Sequence, residues 1–228
     1  LIGMMVVSAS AAGFDDFSDK DEIVNKDAVS MLVSLGIIEG KPDGSYGPTE
    51  NVDRAQMAKM LSVIMNKGVD NSALYQSVNS GLVDVKTNWA KGHINYCYTT
   101  GIIAGRGNGT FDPSATVTAL EAAKMLLVAV GYDPKIEGFE GADWAINVSV
   151  RADEQGIFEG FTKDLSAPLN RDDAALLIYN ALDVEMIQSY TTNNYPIVYS
   201  DHRTILSDKY GVIKVQGVVV ANEGASLA

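Results

Sequence analysis

One cysteine, two histidines and no long apolar run set the first limits on this 228-residue chain. Cys97 has no second cysteine to pair with, so the fold has to be held by packing and not by an internal disulfide. His93 and His202 stand far apart, and neither a glycine-rich phosphate loop nor a Cys/His metal cluster accompanies them. No cofactor and no metal are expected. Lys and Arg number 17 against 29 Asp and Glu and nowhere form a stripe. The resulting net charge of −12 argues against nucleic acid and anionic membrane surfaces as partners. It does not exclude an acidic glycan, which two or three local cations can meet. No stretch reaches the roughly 20 apolar residues that a membrane-spanning helix needs, so membrane insertion is not expected.

What is present is the composition of a folded protein, 46% hydrophobic and 20% charged, and long enough for one large or two small domains. Leu1 to Val7 is a short apolar run that leads into Ser8-Ala9-Ser10-Ala11-Ala12, where Ala9-x-Ala11 has the small-residue pattern of a signal peptidase site. With no charged segment before it, residues 1–11 read as the remainder of a signal peptide, and the mature protein is expected to begin near Ala12.

The strongest signal is internal repetition. Gly36-Ile37-Ile38-Glu39-Gly40 is followed by Asp43-Gly44, Tyr46 and Pro48, and Gly101-Ile102-Ile103-Ala104-Gly105 by Asn108-Gly109, Phe111 and Pro113. From the first Gly, the turn residues fall at offsets 7, 8, 10 and 12 in both copies. A third, decayed copy keeps Gly156-Ile157-Phe158-Glu159-Gly160 and Pro168, but its following helix starts three residues early.

Each copy reads as helix, loop, helix. Val24, Ala28, Val29, Leu32, Val33 and Leu35 form a stripe at helical spacing, with Gly36 placed for a left-handed cap. Asp53, Thr118 and Asn170 are good N-caps, and Gln56, Glu121 and Asp173 follow three residues later as capping boxes of uneven quality. One such hairpin cannot bury its apolar face, whereas three around a common axis can. After Gln188, two β-branched stretches, Tyr195–Tyr199 and Val212–Val220, read as the start of a β-rich region that continues past the chain.

These residues resemble the S-layer homology (SLH) module of bacterial surface proteins. Phe17-x-Asp19 and Leu82-x-Asp84 stand for its F-x-D element, with each Asp 17 residues before its Gly, and Trp89-Ala90 and Trp144-Ala145 for its W-A. The T-R-A-E element appears as Asp53-Arg54-Ala55-Gln56, Thr118-Ala119-Leu120-Glu121 and Asn170-Arg171-Asp172-Asp173. The expected architecture is therefore mainly α: SLH-like repeats at 14–67, 81–132 and, degenerate, 142–188, in a pseudo-threefold bundle, followed by a short β-rich segment over 189–228. The resemblance implies a secreted protein held non-covalently at the cell wall or S-layer by binding acidic, pyruvylated secondary cell-wall polysaccharide, with other S-layer subunits as a further partner. Two alternatives stay open. The chain can be the tether of a surface enzyme whose catalytic domain lies past Ala228, or a lattice subunit that self-associates.

Arg54 and Arg171 stand one position after an N-cap, where a planar guanidinium beside free helix N–H groups suits a carboxylate. The resemblance assigns the matching Arg to the pyruvate-ketal carboxylate, in grooves between repeats. The bland alternative is pairing with nearby side chains at a solvated helix start. Arg54 is expected to contribute more than Arg171, whose own loop is distorted, and Ala119 removes the cation from the middle copy. Lys41 and Arg106 share offset 5 and are candidate secondary cations, with Gln56 and Glu121 completing the candidate binding set. Trp89, Trp144, Tyr46 and Phe111 read as packing residues first and sugar platforms second. No catalytic residue is assigned: His93 and Cys97 lie one helical turn apart, but without an orienting third group they read as a surface imidazole beside a buried thiol. The acidic run Asp15 to Glu22 lacks an EF-hand register and reads as a solvated linker.

Overall fold

The chain is described by a computed structural model over residues 13–214. The signal-peptide reading, and all of the second β-branched stretch beyond Lys214, lie outside these residues. The helices are α1 (Lys26–Ser34), α2 (Arg54–Met65), α3 (Lys91–Thr99), α4 (Ala119–Val130), α5 (Trp144–Glu154), α6 (Arg171–Ala181) and a short α7 (Ile205–Tyr210). Strands β1 (Ile187–Tyr190) and β2 (Pro196–Val198) form an antiparallel hairpin.

The repeats α1–α2, α3–α4 and α5–α6 obey one set of local rules. The first helix of each ends on a glycine in the left-handed region, Gly36, Gly101 and Gly156, with φ of 70°, 80° and 70°. The next residue's N–H then turns back to a carbonyl five residues earlier: Ile37 to Leu32, Ile102 to Cys97 and Ile157 to Ala152. The capping boxes are reciprocal at Asp53/Gln56 and Thr118/Glu121, whereas Asn170 caps Asp173 with no return bond. Tyr46 and Phe111 are buried under their turns, as expected.

The F-x-D aspartates hold these turns shut. Asp19 accepts from the amides of Tyr46 (2.7 Å) and Gly47 (2.8 Å), and Asp84 from those of Phe111 (2.9 Å) and Asp112 (2.7 Å). Burial works to raise both carboxyls, but these amide donors outweigh it and hold them below the usual carboxylate range. Phe17 stacks on Tyr46 with centroids 5.5 Å apart, and a Cβ at Gly40 would come within 2.5 Å of the Phe17 ring. At Gly40 the ring leaves no room for a side chain, and at Gly105 the Thr110 carbonyl, 2.8 Å from such a Cβ, leaves none.

A ring of backbone hydrogen bonds closes the pseudo-threefold. Val52 N–H donates to Leu169 O (2.8 Å), Leu169 N–H to Val117 O (2.8 Å), and Val117 N–H to Val52 O (2.9 Å). Each of these residues sits two before the first residue of α2, α4 or α6, and all three are buried. The second helices then run outward from one junction, with α4 packed on both α2 and α6. Met57, Leu61, Ala123, Leu127, Ala174 and Leu177 fill the centre.

Several expectations need correction. Val24 lies before α1 and is 82% exposed, because the chain enters the helix only after Asn25. Trp89 is 59% exposed instead of packed. His93 is buried, not on the surface, with Nδ1 2.5 Å from Ser62 Oγ and Nε2 3.6 Å from Asp70. Cys97 is buried as expected, and its thiol is pushed upward by desolvation. No bond joins it to His93; its Sγ contacts the Ala58 carbonyl at 3.4 Å.

The segment after the third repeat is packed on the bundle. Leu206 N–H donates to Leu182 O (2.9 Å), Tyr210 OH to Ile64 O (3.3 Å), and the Tyr190 hydroxyl meets both Asp133 N–H and Glu137. Ile187, Ile205 and Leu206 belong to the main core. The hairpin thus has the apolar support that two strands alone lack.

Candidate functional site

The arginines define the joints between repeats. Arg54 does not lie along its own repeat but reaches into the loop of the next. Its Nε–H donates to Phe111 O (2.8 Å) and Nη2 to Ala104 O (2.9 Å), with the guanidinium 4.4 Å above the Phe111 ring. Arg171 does the same one joint earlier. Its Nε–H donates to Tyr46 O (2.8 Å) and Nη2 to Glu39 O (2.9 Å), 4.6 Å over the Tyr46 ring. Repeat 3 therefore locks into repeat 1, and repeat 1 into repeat 2. The distorted loop of repeat 3 does not receive Arg171, which enters the intact loop of repeat 1. At the third joint Ala119 is buried and no arginine crosses.

The helix N-termini are not open to an anion. Arg54 N–H donates to Ala115 O, Ala55 N–H to Pro113 O and Gln56 N–H to Asp53 Oδ1. Arg171, Asp172 and Asp173 N–H donate likewise to Glu50 O, Pro48 O and Asn170 Oδ1. The expected free N–H groups are consumed by the neighbouring repeat and the cap. An incoming carboxylate has to use side chains.

Two grooves run beside the arginines, and the positions 40, 41, 56, 59 and 60 that line the first recur 65 residues on in the second. Groove 1 is lined by Arg171, Gly40, Lys41, Gln56, Lys59 and Met60. Groove 2 is lined by Arg54, Gly105, Arg106, Glu121, Lys124 and Met125. The next repeat contributes a tryptophan wall to each, Trp89 to the first and Trp144 to the second. All six candidate binding residues, Arg54, Arg171, Gln56, Glu121, Lys41 and Arg106, thus face one groove or the other. Lys59 is not among the expected site residues, and the tryptophans are expected there only as secondary sugar platforms. Their signal was present, since Lys59 and Lys124 share offset 23 from their glycines and the tryptophans share offset −12.

The grooves differ in electrostatics. Arg54 is 4% exposed, and desolvation, reinforced by nearby Arg106 and opposed by Glu121, pushes its pKa down to about 10. Glu121 stands 3.7 Å from Arg54 Nη1 and 2.9 Å from Arg106. Arg171 is less buried, and among the described residues no carboxylate lies within 4.0 Å of it. Lys41 pairs with Glu50, and Lys59 lies 3.4 Å from Glu39. Lys124 stands over the Trp144 ring at 5.5 Å, whereas Trp89 makes a T-shaped contact with His93 at 6.5 Å and is largely exposed.

Fold and site together define a closed ring of helix–loop–helix repeats with cationic, tryptophan-walled grooves at its joints. The chain carries S-layer homology domains: the model of that family matches residues 16–58 and 83–123, the first two repeats. It is 32% identical over 189 residues to a cell surface protein of Thermoanaerobacter kivui, covering 81% of this chain and 24% of that one. It is 34% identical over 113 residues to an S-layer protein of Bacillus licheniformis, covering 50% and 12%. Exoglucanase XynX of Acetivibrio thermocellus is 28% identical over 182 residues, covering 73% and 16%. The chain spans a quarter or less of the length of these relatives. Such domains indicate anchoring of a surface protein at the cell wall and place the chain at the cell surface. No helix among the described residues is long and apolar enough to cross a membrane.

Proposed function

We propose that this chain anchors its protein by binding an acidic, pyruvylated secondary cell-wall polysaccharide in the grooves between repeats, and that the anchor itself is non-enzymatic. The observation that carries this reading is the state of Arg171. Two of its donors are tied to Tyr46 and Glu39 carbonyls, which fixes the guanidinium plane, and the rest of its fork lines groove 1 without a carboxylate partner. Lys41 and Lys59 line the same groove, each paired with a glutamate, and exposed Trp89 offers an apolar face for a sugar ring.

Arg171 and groove 1 therefore take the leading role, ahead of the more buried Arg54. The signal peptide, if removed after Ala11, delivers the chain to the surface. The relatives include both S-layer proteins and carbohydrate-degrading enzymes, so the same anchor serves a lattice subunit or an enzyme tether equally well. The test is co-sedimentation with purified wall polymer before and after its ketal-linked pyruvate is removed. Binding that survives removal unchanged would contradict the reading.

A further inference from the structure

Groove 1 has an imidazole behind its wall, and groove 2 has none. Trp89 and Lys59 both line groove 1. The buried ring of His93 touches the first at 6.5 Å between centroids and meets Ser62, three residues after the second. The Ser62 hydroxyl also reaches the Lys59 carbonyl at 3.0 Å, while His93 Nε2 faces Asp70 of the connector at 3.6 Å. Behind groove 2 the same two places are apolar. Leu127 stands 65 residues after Ser62, Val148 follows Trp144 as His93 follows Trp89, and both are fully buried.

This setting offers an acceptor to each ring nitrogen. A ring protonated at both donates to Asp70 and to Ser62 Oγ, which turns its own hydrogen to the Lys59 carbonyl. A neutral ring has one N–H and makes only one of these donations. Against the imidazolium stand burial and the Lys59 ammonium, with Asp70 in its favour. Asp70 from the connector and Lys59 from α2 are the charged groups that face it, and within α3 burial keeps Cys97 as the thiol.

We infer that His93 is a protonation-linked positioning residue of groove 1, taking up a proton from solvent when an acidic glycan binds there. This rests on the proposed binding of a pyruvylated glycan and adds its pH dependence. His93 acts through the wall and does not touch the ligand. A carboxylate at Arg171 and an imidazolium one side chain behind Trp89 attract each other, and by reciprocity each raises the affinity for the other. Groove 1 should therefore bind more tightly as pH falls through the range in which His93 titrates, while the ligand carboxylate stays ionised. Groove 2, backed by Leu127 and Val148, has no such link.

The full chain would be titrated with the methyl glycoside of a 4,6-pyruvylated hexose at about pH 7 and about pH 5.5, on either side of the usual histidine range. Amide chemical shifts of Gly40 and Lys41 would report groove 1, and those of Gly105 and Arg106 groove 2. Imidazole C–H shifts would follow His93, with His202, paired to Glu185 after the repeats, as the one other histidine and the control. Groove 1 of wild type should bind about two- to five-fold more tightly at the lower pH, the scale of one added charge at a partly screened distance. Saturating glycoside should raise the His93 titration midpoint and leave that of His202 in place. His93→Gln, which keeps a hydrogen-bond partner for Ser62, should bind equally at both pH values. The midpoint is read on wild type, so it decides the matter even if the variant fails to fold. A His93 midpoint unmoved while Gly40 and Lys41 respond, or a folded His93→Gln that keeps the wild-type pH dependence, would overturn the link alone. Silence of both grooves at both pH values would overturn the glycan reading and this inference with it.

Discussion

Arg171 and Tyr46 hold each other twice. The Arg171 Nε–H donates to the Tyr46 carbonyl at 2.8 Å, and the Tyr46 hydroxyl donates to the Arg171 carbonyl at 2.9 Å, with the guanidinium over the ring. The equivalent pair, Arg54 and Phe111, has the first bond and the ring but no hydroxyl. The joint between repeats 3 and 1 thus gains one hydrogen bond while its arginine stays less buried. Tyr46→Phe reproduces the Phe111 arrangement, so it should cost only about 1 kcal/mol in urea unfolding and leave groove 1 able to bind.

Arg54 is the stronger structural staple. Replacing it by Ala leaves the carbonyls of Phe111 and Ala104 without this donor and removes one of the two cations beside Glu121, and should destabilise the chain by about 3 kcal/mol. Arg171→Ala should cost roughly half as much, because solvent can reach its partners. Chemical denaturation of the two variants side by side checks the order.

Restoring an arginine at the third joint should not help. Ala119 is fully buried, and the loop of repeat 3 has no aromatic at the matching offset to lie beneath a guanidinium. Ala119→Arg should lower stability by about 1–3 kcal/mol through overpacking and add no glycan affinity. A thermal melt together with the glycoside titration reads both outcomes.

His93 gives the domain an acid-sensitive contact. Desolvation lowers its pKa from the ordinary histidine value of about 6.5, an effect that Asp70 opposes and Lys59 reinforces. A histidine whose folded pKa is depressed binds fewer protons folded than unfolded, so its share of stability is present above about pH 6.5 and declines below it. Wild type should lose stability between pH 6.5 and 5, and a His93→Gln variant should show a flatter profile over that range. Parallel profiles would mean that other groups govern this limb.

The parts of this structure that were legible in the sequence are those fixed within a repeat. Gly36 and Gly101 cap their helices because the backbone there needs positive φ, and Tyr46 and Phe111 lie under turns whose type the Asp-Gly and Asn-Gly pairs dictate. Lys41 and Arg106, and Gln56 and Glu121, share offsets from their glycines, and Arg54 and Arg171 share the position after an N-cap, so their place beside the grooves could likewise be read. What repetition alone cannot reveal is which copy touches which. Arg171 was judged by its own loop, whereas it enters the loop of repeat 1. The N–H groups that looked free are taken by Pro48, Glu50, Pro113 and Ala115 of a neighbouring repeat. His93 and Trp89 were misjudged for the same reason. Trp89 lies two residues before α3 and His93 in its first turn, and they received the opposite burial because the Asn66–Ser80 connector brings Asp70 over the imidazole and leaves the indole uncovered.

The central claim is that groove 1 holds an acidic glycan through the Arg171 guanidinium. Its most direct test is calorimetric titration of purified wall polysaccharide against wild type, Arg171→Ala and Arg171→Lys, each shown to be folded by its melt. Loss of one charge-assisted contact of about 1.5–3 kcal/mol should weaken Arg171→Ala by about ten- to a hundred-fold, with Arg171→Lys between, since a point charge cannot reproduce the fork. Equal affinity for all three would contradict the account.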